Sequence, residues 1–348
     1  MQKLFSILLF ITIGITVKAQ TGKELYDSTF TVLVNMIEGK QNTDFKKAVF
    51  LVENCYLNND YIYEDFSKGI DIYVNLCRSL IDSWDLVYQE SDKDQVAISA
   101  AVFSVMKDTI PVQQVGDKIL YNLPFDYDFE DIYGANDWTK MFVMKLLSSK
   151  KGNCHSLPYL YKILVEALGG NAYLAYAPNH IYIKQQSKEF GWYNTELTSG
   201  FFPIDAWLMA SGYIHLSAIQ QGVFMDTLSA KQSIGACLLD LAQGYEKKFG
   251  IEDGKFILNV CEVVLKEHPN NINALLLKSE TKMNLWKTDN SKSKEEKQIE
   301  FIEIQELYTK IHDLGYRAMP KEMYLDWLVL LKEEKYKYQN RKINLNIK

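Results

Sequence analysis

A chain of 348 residues, 47% hydrophobic and 13% aromatic, is long enough for two domains with cores of their own. Its net charge of -6, with no cluster of Lys and Arg, excludes a nucleic-acid-binding surface, because backbone phosphates demand concentrated positive charge. The 22 tyrosines are many for this length; they read as packing residues that each need a partner for the hydroxyl, with a peptide- or sugar-facing surface as the alternative.

The chain opens with Met1-Gln2-Lys3, runs apolar from Leu4 to Val17 and reaches Val17-Lys18-Ala19 before Gln20. One lysine, a short apolar run and small residues at the cleavage positions predict a secretory signal over residues 1–19, removed after Ala19. No later segment supplies the ~20 apolar residues of a membrane helix, so the mature chain is expected to be secreted or periplasmic without a membrane span. The five cysteines, Cys55, Cys77, Cys154, Cys237 and Cys261, are odd in number and show no Cys-x-x-Cys. In an oxidising compartment at least one stays free, and Cys154 is the choice; Cys55 with Cys77, or Cys237 with Cys261, are either bridges or buried thiols.

From residue 20 to 125 the reading is mainly helical, with apolar residues at three- and four-residue spacing over 23–37, 44–55 and 63–84. A further helix is expected over 97–106 and a short strand over 119–123. Between Asp126 and Asp137 acids alternate with aromatics, and Asp126-x-Asp128-x-Glu130 looks like the start of a calcium loop. The glycine required next is Asp131, and the bidentate Glu at the twelfth position is Asp137, so no metal is expected and the segment reads as a solvated acidic loop at a cleft edge. A helix over 138–147 follows.

The stretch from Gly152 to Gly200 carries the chemistry. Leu157, Leu160, Tyr161, Leu164, Val165 and Leu168 recur at helical spacing, with Pro158 in the first turn and Gly169-Gly170 as the stop. Cys154 therefore sits at or just before a helix N-terminus, where unpaired N–H groups and the helix dipole favour the thiolate. Residues 172–176 form a short strand, Pro178-Asn179 a turn, and His180 opens a second strand with His180, Tyr182 and Lys184 on one face. A third strand over 192–198 places Trp192, Asn194, Glu196 and Thr198 on one face, so Asn194 and Glu196 are both candidates to orient the His180 imidazole. His155 reads as a surface or packing histidine, and His215 as structural.

This Gly-x-Cys helix, His-led strand and Trp192-Tyr193-Asn194-Thr195-Glu196-Leu197-Thr198 resemble the core of the transglutaminase-like superfamily, whose usual last element is Trp-x-x-x-Asp-Pro-Thr. The flanks, EDIYGANDWTKMFVMKLLSSKKGNCHS and SGFFPIDAWLMASGYI, are similar to secreted proteins of Bacteroidetes-type bacteria. The resemblance implies a papain-like core, a helix packed on an antiparallel sheet, over residues 126–228. It implies Cys154 as nucleophile, His180 as base and Glu196, with Asn194 in its place as the alternative, as the orienting group. The departures are Glu196 for Asp and Leu197 for Pro.

After a short helix over 205–209, residues 229–348 read as helices over 236–249, 255–268, 272–286, 295–314 and 320–335, with a polar loop over 287–297. Tyr245 with Gly250, then Pro269-Asn270-Asn271, resemble two degenerate tetratricopeptide units, too few for an independent solenoid. The fold class expected is therefore α+β, with a helical N-terminal region, a papain- or transglutaminase-like core and a repeat-like helical C-terminal part. The function expected is thiol-based acyl transfer on a peptide, protein or cell-wall amide, without a cofactor: hydrolysis if water accepts the acyl group, crosslinking if an amine does. The rival is an inactive scaffold that binds a protein partner on its helical repeats. A sugar-binding aromatic cleft has only the composition behind it.

Overall fold

The computed structural model describes residues 22–84, 86–115, 118–333, 337 and 340; the expected signal, residues 1–19, lies outside them. Residues 22–37 form helix α1. Helix α2 (Phe45–Tyr56) starts at Asp44, whose carboxylate accepts from the Lys47 N–H at 2.8 Å and satisfies one of the free donors of the first turn. Helices α3 (Tyr63–Ser83) and α4 (Lys93–Lys107) follow.

Strands β1 (Ile110–Val115) and β2 (Lys118–Asn122) form an antiparallel hairpin. Only β2 is foreseen from the sequence, because the register of β1 slips between Pro111 and Gln113 and so breaks the period of two. Strand β3 (Asp126–Tyr127) then pairs in parallel with β4 (Lys151–Gly152). The helix expected over 138–147 is in fact two pieces, a 3-10 turn (Trp138–Met141) and α5 (Val143–Ser149), broken at an extended Phe142. The break has a physical cause: the buried Glu53 carboxylate of α2 accepts from the Val143 and Met144 N–H groups at 2.6 and 2.9 Å, and so starts a new helix there.

Helix α6 (Ser156–Ala167) is buried on every side from Ser156 to Val165, and its one charged residue there, Lys162, donates to Glu166 and to Ala172 O. It packs on the antiparallel meander of β5 (Tyr173–Ala177), β6 (His180–Ser187) and β7 (Gly191–Thr195). Pro178-Asn179 is the two-residue turn between β5 and β6, with Asn179 at φ 56. Short helices α7 (Asp205–Ser211) and α8 (Leu216–Gln220) lead to α9 (Ala230–Phe249), α10 (Lys255–Glu267), α11 (Ile272–Thr288), α12 (Lys294–Asp313) and α13 (Lys321–Glu333).

The fold is thus mixed α+β, with many helices around small sheets. From α9 to α12 each helix packs on the next, and α2 packs on α9, so the N- and C-terminal helices meet. Buried apolar side chains from Tyr26 to Leu328 form one continuous cluster. The polar loop expected over 287–297 shrinks to residues 289–293, because Ser293 and Glu296 form a capping box that starts α12 early. All five cysteines are buried and free, which removes the two possible bridges. No described helix is long and apolar enough to cross a membrane.

Candidate active site

The short β3–β4 ladder delivers the chain to Cys154. At Gly152 a Cβ would lie 2.6 Å from Ser156 Oγ and 2.7 Å from Leu146 Cδ1, so any larger residue would have to push the Ser156 and Leu146 side chains aside. Asn153 then caps α6: its Oδ1 accepts from the His155 and Ser156 N–H groups at 3.0 and 3.1 Å. Cys154 is left in the turn just before the helix and is 8% exposed.

His180, the first residue of β6, faces it. The imidazole Nε2 is 2.6 Å from Glu196 Oε2, and Nδ1 is on the side of the Cys154 thiol, 3.4 Å from the Tyr324 hydroxyl. Glu196 lies one residue beyond β7, where its backbone bridges to Phe201. Its Oε1 accepts from the Thr198 N–H at 2.7 Å, so both carboxylate oxygens are engaged and the group is fixed. The three side chains are therefore one buried array.

Burial alone would push the Cys154 thiol up, but the facing His180 more than reverses this, helped by Tyr324 and His155, and the thiol falls below its ordinary value. Burial likewise works against the His180 imidazolium, yet the Glu196 charge and the thiolate raise its pKa to about 10. Burial raises Glu196 and the His180 charge outweighs it, holding the carboxyl below its usual range. The three groups thus favour thiolate, imidazolium and carboxylate together.

Asn194, the other orienting candidate, does not reach the imidazole. In the β6–β7 register it is opposite Lys184, four residues along β6 from His180, or ~13 Å at strand spacing. Its side-chain N–H2 donates instead to Pro203 O at 3.1 Å and Asp205 Oδ1 at 2.7 Å, tying β7 to the start of α7. Period two puts both residues on one face; the register sets Asn194 too far along β6, and Glu196, just past the end of β7, is the one that meets His180.

His155 is not a surface residue. It is 8% exposed, and its two ring nitrogens are 2.9 Å from Met141 O and 2.9 Å from Asp240 Oδ1. A carbonyl only accepts, and the Asp240 carboxylate also accepts the Tyr159 hydroxyl at 2.9 Å, so both nitrogens carry hydrogen and the ring is an imidazolium. Burial works against that charge, but Asp240 outweighs it and holds the pKa at about 8. His215, by contrast, accepts from the Ser217 N–H at 3.3 Å and caps α8.

Two aromatic residues of α13 close the site from far along the chain. The Tyr324 hydroxyl donates to Cys154 Sγ at 3.2 Å, and Trp327 meets the His180 ring edge-on, with centroids 4.9 Å apart. Trp327 is held in turn by its Nε1, which donates to Ser211 Oγ at 2.9 Å, and by stacking on Trp207 at 6.2 Å. Tyr324 packs against Tyr133 at 5.7 Å, and Tyr127 lies beside both Tyr324 and the thiol. In sequence Tyr324 and Trp327 are an aromatic pair at helical spacing, with nothing to link them to Cys154.

The acidic segment folds on itself and edges this site. Asp131 accepts from the N–H groups of Ala135, Asn136 and Asp137, and Asp128 pairs with Lys140 at 2.9 Å. Among the described residues no group of His, Cys, Asp and Glu is arranged to hold a metal. Scanned against known protein families, curated proteins and solved structures, the chain gives no match.

Proposed function

We propose that this chain is a secreted acyl-transfer enzyme of the transglutaminase-like kind, with a papain-like core in which Cys154 is the nucleophile, His180 the base and Glu196 the orienting acid. The observation that carries this reading is the buried Cys154–His180–Glu196 array, in which His180 turns one nitrogen to the thiol and the other to a fixed carboxylate. The thiolate attacks a carbonyl, a thioester forms, and the leaving group takes its proton from the imidazolium. The N–H of Cys154 is the backbone donor for the oxyanion, since those of His155 and Ser156 are held by Asn153. Secretion makes peptide or cell-wall amides the substrate class, with water as acceptor.

In this reading α13 stands in the entrance, and a bulky substrate reacts only when Tyr324 and Trp327 move aside. The test is a mass measurement at Cys154 after exposure to an activated ester. A thioacyl adduct on Cys154, formed faster when Tyr324→Ala opens the site and lost in His180→Ala, is the expected result; no adduct in any folded form contradicts it.

One observation favours the rival. Cys154 is buried beneath a hydroxyl that already hydrogen-bonds to it, as a thiol kept for architecture would be. In that reading the helices after Ser229 hold a protein partner and the site stays shut.

A further inference from the structure

Six buried side-chain polar atoms among the described residues have no hydrogen-bond partner: the hydroxyls of Tyr26, Tyr127, Tyr182, Thr198 and Ser199, and Asn194 Oδ1. A buried hydroxyl without a partner has lost its bonds to water and gained none in return, so each one asks what it is kept for. Tyr127 differs from the other five in where the backbone puts it. The parallel ladder pairs Tyr127 with Gly152, two residues before the nucleophile, and the Asp128 N–H donates to Gly152 O at 2.7 Å.

The position is therefore set by the same two strands that set Cys154. The ring is 8% exposed and braced edge-on by Phe129 at 4.7 Å. Its hydroxyl shares the enclosed space of the Cys154 sulfur and the Tyr324 hydroxyl, near enough to Tyr324 to interact with it but without a hydrogen bond of good geometry to either. Tyr324 is different: its hydroxyl is engaged with the thiol and lies 3.4 Å from His180 Nδ1.

We propose that Tyr127 is a catalytic residue, whose hydroxyl donates to the oxyanion that forms when Cys154 attacks a carbonyl. The proposal rests on the acyl-transfer reading and adds a side-chain donor to the Cys154 N–H. In the step the sulfur lone pair forms the C–S bond and the carbonyl π pair moves onto oxygen. That oxygen accepts from Tyr127, and the pair then returns as the bond to the leaving group breaks. The leaving group departs with its electron pair and takes the proton from His180. An unpaired donor at the place where negative charge develops needs no reorganisation at the moment of reaction, which is what makes such donors effective.

Two small reagents separate this role from any effect on the thiol itself. Iodoacetamide alkylates sulfur at a saturated carbon and forms no oxyanion, whereas p-nitrophenyl acetate acylates it through one. Both reach Cys154 by the same route, so the ratio of the two rates cancels access. In the full-length chain Tyr127→Phe is expected to keep the alkylation rate and its pH profile and to lower acylation about 100-fold, within the range for losing one oxyanion donor. Its melting temperature is expected to hold or rise, since the hydroxyl removed has no partner.

An unchanged ratio overturns the assignment, and so does a loss of stability, which would mean the hydroxyl is structurally bound. If Tyr324→Phe lowers the ratio and Tyr127→Phe does not, the donor is Tyr324. A wild-type thiol that is alkylated at low pH but not acylated removes the oxyanion site while leaving the Cys–His pair in place. A thiol that resists both reagents ends the acyl-transfer reading and this one with it.

Discussion

Two histidine–carboxylate pairs lie near Cys154, and they do opposite things. His180 has Glu196 on one nitrogen and, on the other, a thiol and a hydroxyl, groups that can give a hydrogen as well as receive one. Its proton can leave toward the sulfur and return. His155 has an acceptor on each nitrogen, Met141 O and Asp240, so it has no partner in the site with which to exchange its proton. A buried histidine beside a carboxylate is thus not a base on that ground alone; the group at its second nitrogen decides whether it exchanges a proton or holds one.

Substitutions at the two carboxylates put this contrast under strain. Glu196→Gln keeps the shape but leaves the imidazole without the charge that sustains its protonated form. Acylation of Cys154 is expected to fall about 10³-fold, with the thiol titrating higher, as read by the pH dependence of p-nitrophenyl acetate hydrolysis. Acylation kept within a few-fold of wild type would show that Glu196 does not orient the base.

Asp240→Asn acts on the other pair, whose side chains are only 10% and 18% exposed. It strands a buried imidazolium and is expected to cost about 3 kcal/mol in chemical denaturation near pH 6. The Cys154 alkylation profile should move far less than it does when His180 is lost, because His155 lowers the thiol less than His180 does. A collapse of thiol reactivity in a folded Asp240→Asn chain would erase the distinction between the two histidines.

The same pair predicts a pH dependence. Its contribution is full below the ordinary histidine pKa of about 6.5 and is lost as pH rises through the folded-state value of about 8. At ~1.4 kcal/mol per pH unit this amounts to about 2 kcal/mol of stability. Glu53, which burial pushes up to about 8, faces the pair from α2 and also loses stability as pH rises. Tyr159 and Cys237 face it from α6 and α9, and burial raises both far beyond this range. The difference between wild type and Asp240→Asn therefore isolates the histidine; parallel stability curves from pH 6 to 9 would contradict the fixed charge.

Asn194→Ala is the mildest case, with a cost of about 1–2 kcal/mol from the partners lost at Pro203 and Asp205 and no change in thiol reactivity. A fall in alkylation at low pH would return Asn194 to the site.

What the sequence discloses follows the distance along the chain over which each contact forms. Cys154, His180 and Glu196 fall within 43 residues, on a helix start and strands with clear periodicity, and they were legible. The choice between Glu196 and Asn194 was not, because period two fixes a face and leaves the register open. Asp240 is 85 residues from His155 and Tyr324 is 170 from Cys154, and no local pattern reports contacts of that range. The break at Phe142 was hidden for the same reason, since Glu53, 90 residues upstream, makes it.

The most direct measurement is the pH dependence of Cys154 alkylation in the folded chain, read by mass spectrometry beside His180→Ala. A thiolate that titrates well below the ~8.5 of a free cysteine, and loses that reactivity in His180→Ala, is the result predicted for a Cys154–His180 pair that exchanges a proton. A thiol that resists alkylation at every pH until the protein unfolds, or one indifferent to the loss of His180, would contradict it.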